Sequence, residues 1–237
     1  MTEGARIGTA IVSYIEPHPG VAREFNRWYE RDHFPAAVLA GPGAFSGARF
    51  VATRECKRAR VDGELFGDPH AGSYLSVAWL LPGTQAAWDG WVPDQMNALV
   101  AEGRMFAGRD HLHTAVYEHA WNVAAAGAPP AALALECGCA GAVAIALTDA
   151  GDGESWAREL VGPEIPIVVA LRRERVLVSV LGEPEPHLLL LAFVAGDPVD
   201  VFTRVVVPRL TQVPGTVGFA GPFLATVRGT DTYTADL

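Results

Sequence analysis

Apolar positions along this chain follow two alternating patterns. Some form short β-rich runs, and others return every three or four residues. Ile7 to Tyr14 (IGTAIVSY) is of the first kind and is closed by Pro17 and Pro19. Val21 to Leu39 is of the second kind. Phe25, Trp28, Tyr29 and Asp32 stand there at i, i+3, i+4 and i+7, which places them on one side of a helix. Gly41-Pro42-Gly43 ends that helix. Phe45 to Thr53 and Ser73 to Leu81 read as strands, with Lys57 to Gly72 between them as a long polar loop. Pro82-Gly83-Thr84 opens a second helix that runs to about Met105, and His111 to Trp121 closes the set as a strand. The order is strand, helix, strand, strand, helix, strand.

The second half repeats this rhythm in shortened form. Gly141 to Thr148, the stretch around Arg172 to Arg175, His187 to Val194 and Ala225 to Arg228 read as strands. Glu154 to Val161 and Pro198 to Leu210 read as helices. SYLSVAWLLPGTQAAWDGWV lines up with PHLLLLAFVAGDPVDVFTRVV, and Phe106-Ala107-Gly108 recurs as Phe219-Ala220-Gly221. A duplicated unit explains the length better than one large domain. The expected division is 1–122 for the first repeat, 123–140 for an Ala/Gly/Pro-rich linker and 141–237 for a degenerate second repeat. The βαββαβ order is the ferredoxin-like unit. Its sheet leaves one face bare, and a bare apolar face must be covered. The expected fold is therefore α+β, with two fused ferredoxin-like repeats packing their antiparallel sheets face to face.

Composition narrows the function classes. The chain has 237 residues, 50% of them hydrophobic and 19% charged, which suits a folded protein. A net charge of -9 and a pI near 5.2 argue against non-specific nucleic-acid binding, which needs a basic footprint. The best candidate for a basic run, Arg54 to Arg60 (RECKRAR), reads as an exposed strand end or loop. Three cysteines, Cys56, Cys137 and Cys139, make no disulfide framework. The amino terminus lacks a signal-peptide pattern, and the longest apolar run falls short of the roughly 20 residues a membrane helix needs. A reducing, cytoplasmic setting is expected, without a membrane partner.

The stretch EFNRWYERDHFPAAVLAGPGAFSGARFV concentrates aromatic and titratable residues. With Trp28-Tyr29, His33-Phe34-Pro35, Pro42-Gly43 and Arg49, it resembles the helix-turn-strand segment of dimeric α/β-barrel proteins. EthD-like proteins and antibiotic-biosynthesis monooxygenases are among them, alongside polyketide cyclases, muconolactone isomerases and haem-binding chlorite dismutase relatives. The resemblance implies an intrachain version of that barrel and leaves the reaction open, because the fold hosts many chemistries. The second half has ESWARELVGPEIP in the corresponding place, without the histidine or the Trp-Tyr pair, so a site is expected once per chain.

The candidate chemistry centres on His33, an imidazole able to take and return a proton, with Tyr29 four residues earlier as its hydrogen-bond partner. The alternative role for His33 is capping the helix carbonyls. Arg49 interrupts an apolar strand, where it would stabilise a substrate carboxylate, enolate or phenolate, or else pair internally with Asp32 or Glu30. Trp28, Asp32, Tyr74, Trp79, Trp88, His111 and His113 are candidate substrate-binding residues, with Trp91 a further possible aromatic wall. His111, His113 and His119 share strand parity with Tyr117, and with His33 they would make a metal set, although no acidic ligand is fixed by a motif. For haem, no cysteine or lone axial histidine stands out in the second half, where His187 is the only histidine. Dinucleotide, P-loop and G-x-S-x-G fingerprints are absent. The expectation is a cofactor-free enzyme on a small apolar or polyketide-like metabolite, performing cyclisation, isomerisation or dehydration. A cofactor-independent monooxygenase and a non-catalytic binding protein are the alternatives, and a homodimer of the fused chain is a possible assembly.

Overall fold

The structure, a computed structural model, describes residues 4–62, 68, 70–149, 151–179 and 187–237. The first half runs β1 (Thr9–Pro17), α1 (Ala22–Trp28), a π-helix (Tyr29–Leu39), β2 (Ala44–Val51), α2 (Arg54–Ala59), β3 (Val61–Asp62), β4 (Tyr74–Leu80), α3 (Gln85–Ala101) and β5 (Arg109–Ala124). A 3-10 turn (Ala131–Leu133) leads to β6 (Gly141–Thr148), α4 (Glu154–Leu160), β7 (Ile167–Ser179) and β8 (His187–Val194). After α5 (Pro198–Val201), one π segment (Phe202–Val206) and one 3-10 segment (Val207–Gln212) precede β9 (Thr216–Ala225).

Every pairing is antiparallel, and the two halves order their strands alike, as β2-β4-β1-β5 and β7-β8-β6-β9. The halves also meet edge to edge. β5 pairs with β7 from His113↔Ser179 to Ala124↔Ile167, and β2 meets β9 at Phe50↔Ala225 and Val51↔Leu224. Eight strands thus close a ring, and the short β3 adds to β9 at Val61↔Ala220. This is the expected pair of fused ferredoxin-like units, forming a dimeric α/β barrel within one chain. β5 continues through Ala124, past the position where the linker was expected to begin.

Strand alternation sorts the core. In β1, Ala10, Val12 and Tyr14 enter the barrel, while Ile11 and Ile15 face the helices. Trp79, Tyr117, Phe193 and Phe223 fill the barrel beside them. The cavity left next to Tyr14, His113 and Tyr117 is about 10 Å³, room for a single water at most.

Two expectations are corrected. Arg54 to Arg60 is no exposed strand end, because Thr53 caps a helix there by accepting from the Cys56 amide, and Lys57 and Arg60 are buried. Lys57 donates to Ser73 Oγ at 2.7 Å, and Arg60 donates to the Gly72 carbonyl at 2.7 Å. The expected loop from Lys57 to Gly72 therefore begins as helix and strand; its positions 63–67 and 69 lie outside the described residues. No described helix is long and apolar enough to cross a membrane.

Candidate functional site

The helix after β1 changes its winding where the titratable residues begin. From Tyr29 to Leu39 it is a π-helix, in which Ala40 N–H donates to the Pro35 carbonyl five residues back. Pro35 itself brings no N–H to the ladder. Such segments are usually single turns and often mark functional sites. The wider turn stacks residues five apart. Trp28 lies on His33 with ring centroids 4.5 Å apart, and Tyr29 on Phe34 at 5.8 Å. Gly47 of β2 lets this helix approach, since a Cβ there would stand 2.8 Å from Phe34 Cζ and 2.7 Å from Leu39 Cδ2.

Beneath the helix lies a row of polar side chains on otherwise apolar strands. Register aligns Arg49 with Ser76, Ser76 with Ser13, and Ser13 with Thr114 across four adjacent strands. Tyr29 reaches this row, its hydroxyl 2.7 Å from Ser76 Oγ. Burial raises the Tyr29 pKa, opposed by the Ser76 hydrogen bond and by Arg49. The expected Tyr29–His33 hydrogen bond is therefore replaced by ring contact at 5.2 Å, because the π winding carries His33 round onto Trp28.

Arg49 is only 5% exposed, and its guanidinium carbon lies 4.7 Å from the Tyr29 ring centroid and 4.9 Å from that of Tyr74. Nη1 donates to Asn26 Oδ1 at 3.1 Å, whereas Nε and Nη2 have no partner, nor has the Tyr74 hydroxyl. Among the described residues no carboxylate pairs with Arg49. The expected internal ion pairs are absent because Asp32 is taken by Arg104, whose Nε donates at 3.1 Å, and Glu30 accepts from the Gly229 amide at 2.6 Å. Burial lowers the Arg49 pKa and pushes Tyr74 up to about 12. Hydrogen bonds from Arg104 hold Asp32 below the usual carboxylate range.

His33 is 6% exposed and its Nδ1 has no partner, so it caps no carbonyl through that atom. Burial first, then Arg109 and His111, lowers it to about 3. Arg109 lies 4.6 Å over the Trp28 ring, and its Nε donates to His111 Nε2 at 3.0 Å. Burial and Arg109 lower His111 to about 4. The Trp28 indole donates to the Arg104 carbonyl at 2.7 Å.

The remaining candidates separate. His111 and His113 do not share a face, because a bulge in β5 pairs Ile15 with His111 but Tyr14 with His113. His113 instead points into the barrel, 3.0 Å from the Tyr117 hydroxyl. His119 bonds Asn122 near the surface. Among the described residues no three His, Cys, Asp or Glu side chains gather as a metal set. Trp79 fills the barrel, and Trp88 packs with Trp91, Ile11, Leu80 and Val116, so neither joins Trp28 and Tyr74. Asn26, Ser76, Ser13 and Arg109 went unread in the sequence. The available signal was one polar residue in each of several apolar strands.

His33 and Arg49 thus flank one aromatic ring without opening onto a common hollow. Arg49 also lines a cleft of about 470 Å³ at the β2–β9 seam, with Thr226 and Arg228. His33 lines neither that cleft nor the barrel cavity. A second cleft, about 820 Å³, lies beside α2 among Arg23, Arg54 and Lys57, away from this row. Residues 226–237 strap the site from outside: Asn26 Nδ2 donates to the Thr230 carbonyl at 2.9 Å, Arg27 Nε to Asp231 at 2.9 Å, and Tyr233 and Leu237 pack on the aromatic cluster.

No family model matches the chain, and no curated protein matches its sequence. Among solved structures, an anthrone oxidase-like protein is similar over 95% of both chains, at 10% identity and a TM-score of 0.51. A variant of DypB from Rhodococcus jostii, in complex with heme, covers 100% of this chain and is covered to 98%, at 8% identity and a TM-score of 0.54. What they share with this chain is the dimeric α/β-barrel fold. A haem, as the DypB structure carries, asks for an axial ligand facing an apolar cavity wide enough for the porphyrin. Among the described residues none meets that condition. His33 is enclosed by packed neighbours, His111 is half-buried with its Nε2 taken by Arg109, His113 faces a 10 Å³ void, and His18, His70 and His119 line surface clefts, while the side chain of His187 lies outside the described residues. The described side chains do not fit that group.

Proposed function

We propose that this chain is an enzyme for a small, largely apolar or aromatic metabolite, and that the polar row beneath the π-helix stabilises an oxyanion while a proton moves. The observation that carries this reading is Arg49, a buried guanidinium whose Nε and Nη2 nitrogens are both unpartnered, beside an unused phenol, Tyr74. Buried polar groups left unmatched are destabilising, and an enolate, phenolate or carboxylate oxygen would complete both. The aromatic surround of Phe25, Tyr29 and Tyr74 suits a flat substrate. His33 is the proton carrier. It is neutral at pH 7, and a substrate anion held by Arg49 on the other side of the Tyr29 ring would raise its proton affinity as substrate binds. The step is a cyclisation, isomerisation or dehydration without a cofactor, and entry requires residues 226–237 to lift.

A second reading, addition of molecular oxygen to the same stabilised carbanion, is favoured by the anthrone oxidase-like neighbour. Oxygen uptake with a hydroxylated aromatic ketone separates the two. For the first, a panel of such ketones is assayed with the intact chain, His33→Gln and Arg49→Met, with circular dichroism to check folding. His33→Gln is expected to lower turnover by roughly 10²-fold or more, and Arg49→Met to lose both binding and rate. An unchanged rate in His33→Gln removes the proton-transfer role. Unchanged binding in Arg49→Met removes the oxyanion site.

A further inference from the structure

The chain between β5 and β6 holds a chemical group that the polar row does not use. Cys137 and Cys139 flank Gly138, and their sulfurs are 2.9 Å apart. Gly138 has φ +73, a left-handed conformation that residues other than glycine rarely adopt, and this turn brings the two thiols together. Both cysteines are half-buried, so neither is locked in the core. Cys139 lines the 470 Å³ cleft at the β2–β9 seam, and Cys137 keeps a partial exposure of its own. Cys56, by contrast, is fully buried and packs against Thr53.

Two chemistries use paired thiols, metal binding and disulfide exchange. Two thiolates on one tetrahedral zinc, each at about 2.3 Å, stand roughly 3.8 Å apart. The observed contact is closer than that, and among the described residues no third His, Cys, Asp or Glu joins it. We infer that Cys137 and Cys139 form a reversible dithiol–disulfide pair that reacts with small hydroperoxides. Cys137 is oxidised first. Its sulfur takes one oxygen from the hydroperoxide to give a sulfenic acid, and the hydroperoxide leaves as an alcohol or as water. The Cys139 thiol then attacks that sulfur, forming the S–S bond and releasing water. Burial and the Cys137 hydrogen bond push Cys139 up to about 12, which keeps it protonated until that second step. A ring closed over a single intervening residue is strained, and strained disulfides are the readily reduced ones.

The test uses the intact, fully reduced chain treated with one equivalent of hydrogen peroxide, then alkylated and weighed. Two of its three cysteines should escape alkylation, the unalkylated peptide spanning 137–139 should be about two mass units lighter, and dithiothreitol should restore all three thiols. In Cys137→Ser, Cys139 should stay alkylatable. In Gly138→Ala, which leaves both thiols in place but disfavours the left-handed turn, closure should slow severalfold. Three alkylatable thiols after peroxide, sulfinic acid in place of the bridge, or disulfide-linked chain pairs would each overturn the inference.

Discussion

At the residue scale, burial decides the chemistry of the histidines. His33 is lowered to about 3, and His111 and His113 to about 4, each with burial as the first cause. An unfolded chain would protonate all three near 6.5. Between that value and pH 4 the unfolded state therefore binds more protons than the native one. The stabilisation is fully present above pH 6.5 and is lost as the pH falls, by up to about 1.4 kcal/mol per pH unit for each histidine. Urea unfolding at pH 7 and pH 5 should show a marked drop in stability, and His33→Gln should flatten it. A stability that stays level across that range would contradict the burial of these rings. Arg49 tells a related story in a different currency of charge. The residue was legible in the sequence as one cation in an apolar strand, whereas its lack of a carboxylate partner was not, because Arg104 and the Gly229 amide claim the nearby acids only in three dimensions.

At the scale of elements, strands were the most legible, since each alternates between barrel and helix layer and the runs were plain. The π winding was not. Phe25, Trp28, Tyr29 and Asp32 at i, i+3, i+4 and i+7 read as an α-helix, and nothing in that spacing shows the wider turn from Tyr29 onward. Packing against β2 and the missing N–H of Pro35 accompany it. The β5 bulge was equally silent, and it separates two histidines that parity had joined. The polar row had a trace in the sequence, but only strand register turns Ser13, Ser76, Arg49 and Thr114 into neighbours. Gly47 tests how the helix is seated. Gly47→Ala would place a Cβ within 2.8 Å of Phe34 and Leu39 atoms, so the helix must shift off β2. Overpacking of this kind costs about 1–3 kcal/mol. A lower unfolding midpoint should accompany weaker contact between Tyr29 and Ser76, seen as altered tyrosine fluorescence; an unperturbed midpoint would mean the helix is not held there.

For the whole molecule, the barrel is closed by two unequal seams. The β5–β7 seam continues from His113↔Ser179 to Ala124↔Ile167, while β2 and β9 share only Phe50↔Ala225 and Val51↔Leu224, extended by the Thr226 amide donating to the Arg49 carbonyl at 3.1 Å. Local opening follows the weakest cooperative unit, so the short seam should part well below the free energy of global unfolding. The cleft that reaches Arg49 lies at that seam, and the strap of residues 226–237 continues directly from β9. Opening there would expose the Arg49 guanidinium without dismantling the barrel, and it is the route by which the proposed ligand would enter. Hydrogen exchange read by mass spectrometry should show peptides covering 50–51 and 224–230 exchanging well before those covering 114–124 and 167–178. A hydroxylated aromatic ligand should slow exchange at the first set and leave the second unchanged. Uniform protection along both seams would mean that the ring opens only when the whole chain unfolds, and that Arg49 is reached by no such path.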